Sequence, residues 1–300
     1  MTDAIEAVDL GKRYGRRWAL QDCSLTIPAG RVVGLVGANG AGKTTLLHLV
    51  VGLLLPSAGK VSVLGGGAGD GPDQLARVGF LAQDAPMYAT LTVGDHLRLG
   101  QELNRGWDDA AAWRRIDDLG LDASQRAGQL SGGQRAQLAL TLAVAKRPEL
   151  LILDEPVAGL DPLARREFLA LLMASVAEHQ LTVVLSSHLI SDIERVCDHL
   201  VVLAESRVQL AGDLQELLAA HRILTGPRRD VDDLPADVDV IEASHTERQT
   251  TLVVRTSAPV IDPAWTVSEL GLEDLVLAYL GRAADARRAR RALSAVEAKP

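Results

Sequence analysis

The sequence contains few cysteines and few aromatic residues, and it has no apolar run long enough to cross a membrane. Only two of its 300 residues are cysteines, and aromatic residues make up 3%. Cys23 and Cys197 both lie in apolar runs, which predicts buried free thiols in a reducing compartment rather than a disulfide or a metal site. The longest apolar stretch, at 49–55, is much shorter than the roughly 20 residues of a bilayer span, and the first residues show no signal-peptide pattern. We therefore expect a globular chain that does not cross a membrane by itself.

The charge balance limits the classes of partner. The chain has 31 basic and 39 acidic residues, a formal net charge of −8, with 47% hydrophobic and 23% charged residues. This composition is typical of a globular protein. The negative balance argues against a surface built to bind nucleic acid, although it does not exclude a local basic groove. We expect no nucleic-acid partner.

Short β-branched runs alternate with longer helical patterns, which is typical of an α/β fold. Buried strands are predicted at 32–36, 150–153 and 181–185, and helices at 43–51 and 162–178. The runs at 5–10, 25–27 and 60–64 predict an antiparallel β-rich region near the N-terminus.

Two regions lie outside this pattern. Residues 93–146 carry polar residues, alanines and two tryptophans without a strand pattern, which predicts an inserted helical subdomain. After about residue 221 the composition changes, and a charged, proline-bearing linker is predicted at 225–235. We therefore divide the chain into a main domain, 1–221, and a small α+β accessory region, 222–300.

The accessory region has its own short pattern. Strand-like runs at 238–243 and 251–255 are followed by an amphipathic helix that begins near Leu272. The tail from Arg282 carries six basic and two acidic residues, which predicts either a solvated helical face or a surface that contacts anionic lipid.

The segment from Gly37 to Thr44 matches a phosphate-binding loop at every fixed position. Its glycines allow backbone N–H groups to point at phosphates, Lys43 can reach the β- and γ-phosphates, and the Thr44 hydroxyl can ligate Mg²⁺. A predicted strand precedes the loop and a helix N-terminus follows it, as such a site requires. We predict that nucleotide contacts come from this segment and the next residue: Gly37, Asn39, Gly40, Ala41, Gly42, Lys43, Thr44 and Thr45.

An acidic pair, Asp154 and Glu155, follows the predicted strand at 150–153. A buried strand would bring Asp154 to its carboxyl end, where the carboxylate can hold the Mg²⁺ shell. Glu155 is then placed to orient and deprotonate an attacking water.

A second anion site is predicted at Ser131, Gly132, Gly133 and Gln134, ahead of a helix at 135–146. A serine hydroxyl, exposed N–H groups and a helix N-terminus can bind a phosphate. One nucleotide needs only one such cradle, so two cradles on one chain favour a head-to-tail pair of chains.

The phosphate loop, the Ser-Gly-Gly-Gln segment and the Asp-Glu pair together resemble the nucleotide-binding subunits of ATP-binding-cassette (ABC) transporters over about residues 3–220. The resemblance implies further roles at four positions. Tyr14 matches the aromatic residue that stacks on adenine, and Gln83 the glutamine that contacts Mg²⁺ and water. His188 matches the switch histidine at the γ-phosphate, and Asp161 the loop that crosses the dimer interface.

The resemblance also implies the fold and the partners. The expected fold is a phosphate-loop ABC cassette with a mixed central sheet, an antiparallel β subdomain and an inserted helical subdomain. The expected enzyme is an ATPase, with ATP and Mg²⁺ as cofactors. A second ATPase subunit, expected to form a homodimer with the first, and a separate permease are the expected partners, at the cytoplasmic face of the membrane.

The helical subdomain and the tail phrase at 272–277 look like the ATPase subunits of bacterial exporters of drugs, antibiotics or peptides. An importer subunit is the alternative within the family, and a soluble ABC ATPase acting on the ribosome or nucleic acid is the alternative outside transport. A groove for the permease is hypothesised after Gln83, at Met87 and Tyr88, with packing under the helical subdomain as the alternative role of these two residues.

Overall fold

The structure is a computed structural model that describes residues 3–228, 238–256 and 262–297. Within these residues there are fourteen strands, which in chain order are β1 (Asp3–Tyr14), β2 (Arg17–Pro28), β3 (Val32–Val36), β4 (Ala58–Val63), β5 (Gly66–Gly67), β6 (Val78–Leu81), β7 (Leu150–Asp154), β8 (Thr182–Ser186), β9 (His199–Ala204), β10 (Arg207–Asp213), β11 (His221–Pro227), β12 (Asp239–His245), β13 (Gln249–Arg255) and β14 (Thr266–Ser268).

Nine α-helices connect these strands in the described part of the chain: α1 (Lys43–Val50), α2 (Gly71–Ala76), α3 (Val93–Leu103), α4 (Asp109–Asp118), α5 (Gly132–Ala145), α6 (Pro162–His179), α7 (Ile190–Val196), α8 (Leu214–Ala219) and α9 (Leu272–Glu297). The helices α3, α4 and α5 lie within the predicted helical subdomain. None of the described helices is long and apolar enough to span a bilayer.

A six-stranded mixed sheet in the order β10-β9-β3-β8-β7-β6 forms the centre of the molecule. Its strands run parallel except for β10, which pairs antiparallel with β9. The residues of β3, β7 and β8 are buried throughout, which explains their continuous apolar sequences. Because the strands are parallel, the loops that follow β3, β7 and β8 meet at one edge of the sheet.

Two smaller antiparallel sheets flank the central sheet in the chain. The first, β2-β1-β4-β5, is the predicted N-terminal β region. The second, β12-β13-β11-β14, belongs to the C-terminal part. One hydrophobic cluster joins residues of the central sheet, such as Leu200, to Leu275 and Val276 of α9. The C-terminal part therefore packs directly on the main domain.

The fold class predicted from the sequence is confirmed, but several predicted boundaries are wrong. The helix after the second cradle begins at Gly132 rather than at residue 135, because Ser131 is its N-cap. The predicted linker at 225–235 begins inside β11, which pairs with β13 through backbone hydrogen bonds that local composition does not reveal; its residues from 229 on lie outside the described residues. The short strand β14 was not predicted. The division at 221/222 stays a prediction, and it falls within β11.

Both cysteines are buried free thiols, as predicted. Cys197 packs in the cluster that joins the central sheet to α9, and burial raises the pKa of its thiol far above the ordinary value. Neither cysteine is therefore suited to nucleophilic chemistry.

Candidate functional site

The loop between β3 and α1 forms one wall of a cleft of about 740 Å³. Gly42 immediately precedes α1 with a φ of 111°, a left-handed conformation that favours glycine. A Cβ atom at Gly42 would lie 2.5 Å from the carbonyl oxygen of Ala19, so the close approach of β2 also requires glycine at this position. The loop thus brings backbone N–H groups and the N-terminus of α1 to the cleft.

The side chain of Lys43 lies between the phosphate loop and Glu155. Its ammonium donates a hydrogen bond to the carbonyl oxygen of Gly37 at 2.8 Å and lies 3.3 Å from the Oε1 atom of Glu155. Both side chains are nearly buried, at 6% and 10% exposed. The other carboxylate oxygen of Glu155 bonds Nδ1 of His188 at 2.5 Å. Glu155 therefore links the phosphate-loop lysine to the histidine after β8.

Asp154 and Glu155 are held apart by a sharp turn at the end of β7. Glu155 has a φ of 50°, in the left-handed region, so the chain turns and directs its carboxylate into the cleft. Its N–H donates to the hydroxyl of Ser186, which in turn donates to Oδ1 of Asp154 at 2.8 Å. Ser186, at the end of β8, thus fixes both acids. It was not among the predicted site residues; its position beside Ser187 after an apolar strand gave no chemical signal.

The structure brings most of the predicted residues to this cleft. Those that line it are Tyr14, Asn39, Gly40, Lys43, Thr44, Thr45, Gln83, Glu155 and His188, together with Gly42. Asp154 and Ala41 are buried behind the lining, and Gly37 contributes the carbonyl that holds Lys43. Arg17, Trp18 and Ala158 also line the cleft and were not predicted. Tyr14 is 51% exposed at the rim, as a stacking platform would need to be.

The second predicted cradle lies outside this cleft. Ser131 and Gln134 form a reciprocal capping box: the serine hydroxyl accepts from the N–H of Gln134, and the glutamine side chain accepts from the N–H of Ser131. Ser131 and Gly132 are exposed, so the N-terminus of α5 faces solvent. An exposed helix N-terminus of this kind can bind an anion. None of the four cradle residues is among those that line the first cleft.

The loop that ends at Asp161 packs against the second cradle. Asp161 caps α6 by accepting hydrogen bonds from the N–H groups of Leu163 and Ala164. A Cβ atom at Gly133 would lie 2.9 Å from the Cβ of Ala164, so the starts of α5 and α6 touch there. The two motifs expected at a dimer interface are therefore neighbours on one surface.

The donor set of the cleft fits a nucleotide with Mg²⁺. Thr44, Gln83 and Asp154 offer hydroxyl, amide and carboxylate oxygens, the ligands that Mg²⁺ prefers alongside phosphate oxygens. In the described residues no three His, Cys, Asp or Glu side chains come together as a candidate metal site. Lys43 and the N-terminus of α1 supply the positive potential for phosphates.

Comparison with known proteins agrees with this geometry. A family model described as ABC transporter matches residues 20–158. The bacitracin transport ATP-binding protein BcrA of Enterococcus faecalis is 31% identical over 248 residues, which cover 82% of this chain and 80% of BcrA. The thiamine import ATP-binding protein ThiQ of Shigella flexneri serotype 5b is 34% identical over 203 residues, 65% of this chain and 87% of ThiQ.

A solved structure gives the same result. An ATP-binding subunit of an ABC transporter superposes with a TM-score of 0.65 at 30% sequence identity, covering 72% of this chain and 92% of that one. Coverage of the curated relatives varies: the alignment spans only 62% of an ABC transporter ATP-binding protein of a Nostoc strain, at 34% identity.

Proposed function

The chain belongs to the ATP-binding subunits of ABC transporters, a family of ATPases, and on that premise we propose that it binds MgATP between two copies of itself and drives a separate membrane permease. The observation that carries the proposal is the separation of two anion sites on one chain. The cleft at Lys43 and the exposed cradle at Ser131 do not share a lining, so each needs a different nucleotide or a different chain.

The residues of the cleft have different roles in ATP hydrolysis. ATP and Mg²⁺, when bound, supply the transferable phosphoryl group and the charge that neutralises it. The phosphate loop and Lys43 bind the phosphates, and Tyr14 stacks on the base. Glu155 orients and deprotonates water, and His188 holds the carboxylate of Glu155 from the opposite side.

Docking of the permease is proposed at an apolar groove of about 620 Å³ beside the cleft. The chain from Gln83, which lines the cleft, runs directly into Met87 and Tyr88, which line the groove. Tyr88 is 65% exposed, whereas Met87 is partly buried against the core of the helical subdomain. A partner in the groove would therefore contact a segment that continues into the nucleotide site.

We propose export of a drug, antibiotic or peptide from the cytoplasmic face of the membrane, in line with the likeness to BcrA. Import is the second candidate, because ThiQ shows a comparable identity and is an importer subunit by name. A complex that needs a substrate-binding protein for ATP-dependent transport would identify an importer.

The test is purification of the chain from native membranes with the proteins that accompany it. A copurifying transmembrane chain, lost when Tyr88 is changed to Asp and kept when the similarly exposed Leu277 on α9 is changed to Asp, is the expected result. Purification with ribosomes, or with no transmembrane chain, would overturn the proposal.

A further inference from the structure

A buried ion pair joins α6 to α7 close to His188. The Nε atom of Arg165, on α6, lies 3.9 Å from the Oδ2 atom of Asp192, on α7. Asp192 is only 5% exposed, and the Arg165 side chain is 26% exposed. Within the described part of the chain, both atoms are buried and neither has a hydrogen-bond partner. The phosphate-binding and water-activating roles assigned above use neither residue.

The separation of these two atoms is unusual for a buried ion pair. Buried polar atoms nearly always form hydrogen bonds, because a buried donor or acceptor without a partner is costly. Burial raises the pKa of Asp192, and the charge of Arg165 partly offsets that effect. At 3.9 Å the atoms are too far apart for a hydrogen bond, but a shift of about 1 Å would give a charge-assisted one. The pair can therefore take a loose and a tight arrangement.

Asp192 belongs to the segment that carries His188. It lies in the first turn of α7, which begins two residues after the histidine. Its N–H donates a hydrogen bond to the carbonyl oxygen of Leu189 at 3.2 Å, and the N–H of Leu189 donates to the hydroxyl of Ser187 at 3.0 Å. Because these local bonds tie residues 187–192 together, a shift of Asp192 against α6 would move the backbone of His188 as well.

Arg165 connects the same pair to the surface that is expected at the dimer interface. Its Nη2 atom donates a hydrogen bond to the carbonyl oxygen of Leu160 at 3.3 Å, in the loop that ends at Asp161. The preceding residue, Ala164, is the one whose Cβ atom lies next to Gly133 of the second cradle. One side chain thus contacts α7 on one side and, on the other, the loop beside the second cradle.

We propose that Arg165 is a positioning residue for ATP hydrolysis, which acts through Asp192 on His188. The position of His188 in turn sets that of the Glu155 carboxylate, to which its ring is hydrogen-bonded. The inference rests on the proposed function and adds to it a connection between the second cradle and the catalytic carboxylate of the same chain. When a partner's nucleotide occupies the second cradle, the loop that Arg165 contacts is fixed and the tight arrangement of the pair is favoured.

The first test compares turnover with ATP affinity. Asp192→Asn removes one charge of the pair with little change of shape, and Arg165→Met removes the other. Each should lower turnover roughly tenfold to a hundredfold and change ATP affinity by less than about twofold, because the phosphate contacts remain. Arg166→Met, at the exposed neighbouring arginine of α6, is the matched control and should leave both quantities unchanged. Combining Arg165→Met with Asp192→Asn should slow turnover no further than the slower single variant, because both substitutions remove the same contact.

The second test observes the histidine directly, by nuclear magnetic resonance of a chain that carries isotopically labelled histidine. The ring signal of His188 is the one that disappears in His188→Ala. Arg165→Met should shift this signal more than that of any other histidine, whereas Arg166→Met should leave it in place. A purely structural role would lower the unfolding temperature of Arg165→Met and leave the His188 signal of the folded chain unchanged.

Failure of this inference differs from failure of the proposed function. Normal turnover in either Arg165→Met or Asp192→Asn, or an unshifted His188 signal in Arg165→Met, would overturn the inference and leave the proposed function standing. A chain that copurifies with no transmembrane protein, or whose turnover is unchanged by Glu155→Gln, would overturn the proposed function instead.

Discussion

Glu155 lies 3.3 Å from Lys43, so the carboxylate proposed to activate water is in contact with the lysine proposed to bind phosphate. His188 holds the other oxygen of the same carboxylate. Lys43 begins the helix after β3, while Glu155 and His188 follow β7 and β8. The three side chains meet because β8 pairs in parallel with both β3 and β7. A phosphate bound by Lys43 would therefore lie beside Glu155.

Replacing Glu155 with Gln should separate binding from hydrolysis. The amide keeps the shape of the side chain but cannot take a proton from water. We expect ATP affinity to be retained and turnover to fall by roughly 10²–10⁴-fold, the usual contribution of a general base. Steady-state phosphate release together with nucleotide binding measures both quantities, and near-normal turnover would contradict the assignment.

The effects of substitutions at Lys43 and Thr44 on ATP affinity should depend differently on Mg²⁺. Lys43→Ala removes the charge that contacts phosphate and should weaken ATP binding whether or not metal is present. Thr44→Ala removes only a proposed metal ligand and should weaken binding mainly with Mg²⁺. Calorimetry with and without Mg²⁺ makes the comparison; unchanged ATP affinity in Lys43→Ala would show that the cleft is not the phosphate site.

Ser186 should act as a positioning residue for the acidic pair. Ser186→Ala leaves the buried N–H of Glu155 and an oxygen of Asp154 without this partner, which should lower the free energy of unfolding by about 1–3 kcal/mol. Turnover should fall more than ATP affinity, because both acids lose their fixed orientation. Ser187→Ala is the control, since the Ser187 hydroxyl bonds only the backbone of Leu189 among the described residues. Equal effects of the two substitutions would contradict this role.

Acid should destabilise the junction between the cassette and the C-terminal part, because His221 is buried there. The ring is fully buried, with one nitrogen at 2.6 Å from the carbonyl of Leu217 and the other at 2.9 Å from the hydroxyl of Tyr279, and burial lowers the pKa of His221. The unfolded chain therefore binds the proton more readily than the folded one near and below pH 6.5, so the stabilisation is present above that pH and is lost as the pH falls.

Denaturation curves between about pH 5 and pH 8 measure this effect. His221→Gln should flatten the loss of stability at acid pH, and Tyr279→Phe should lower stability by about 1–3 kcal/mol at the alkaline end, because it leaves a buried ring nitrogen unpaired. An unchanged pH profile in His221→Gln would show that this histidine does not titrate on unfolding.

The sequence predicted what depends on local pattern. The phosphate loop and the strands β3, β7 and β8 are each continuous in the chain, so the motifs and the family resemblance together predicted that Lys43 and Glu155 belong to one site. Ser186 could not be found this way, because its role comes from the pairing of β7 with β8. The same applies to β11 and β14, because each of these strands forms by pairing with a strand that is distant in the sequence.

The start of α5 was also predicted wrongly, although it depends on interactions between residues that are close in the sequence. Because glycine normally weakens a helix, the sequence pattern predicted that Gly132 and Gly133 precede the helix rather than begin it. The reciprocal capping of Ser131 and Gln134 overrides that preference and begins the helix at Gly132. The cradle is therefore more rigid than a glycine-rich loop would be.

We propose that the two anion sites of one chain serve two nucleotides shared between two chains. In such a pair the phosphate held at Lys43 of one copy meets the exposed N-terminus of α5 of the other, and the contact is isologous. In such a pair the γ-phosphate would add charge-assisted hydrogen bonds across the interface, and hydrolysis would remove them.

Sedimentation of the Glu155→Gln chain with saturating MgATP shows whether such a nucleotide-bridged dimer forms. We expect a monomer without nucleotide and a dimer with MgATP. Adding Ser131→Arg should abolish the dimer, whereas adding Ser124→Arg, an equally drastic change at another exposed serine of the helical subdomain, should not. A Glu155→Gln chain that binds MgATP and sediments as an unchanged monomer would contradict it.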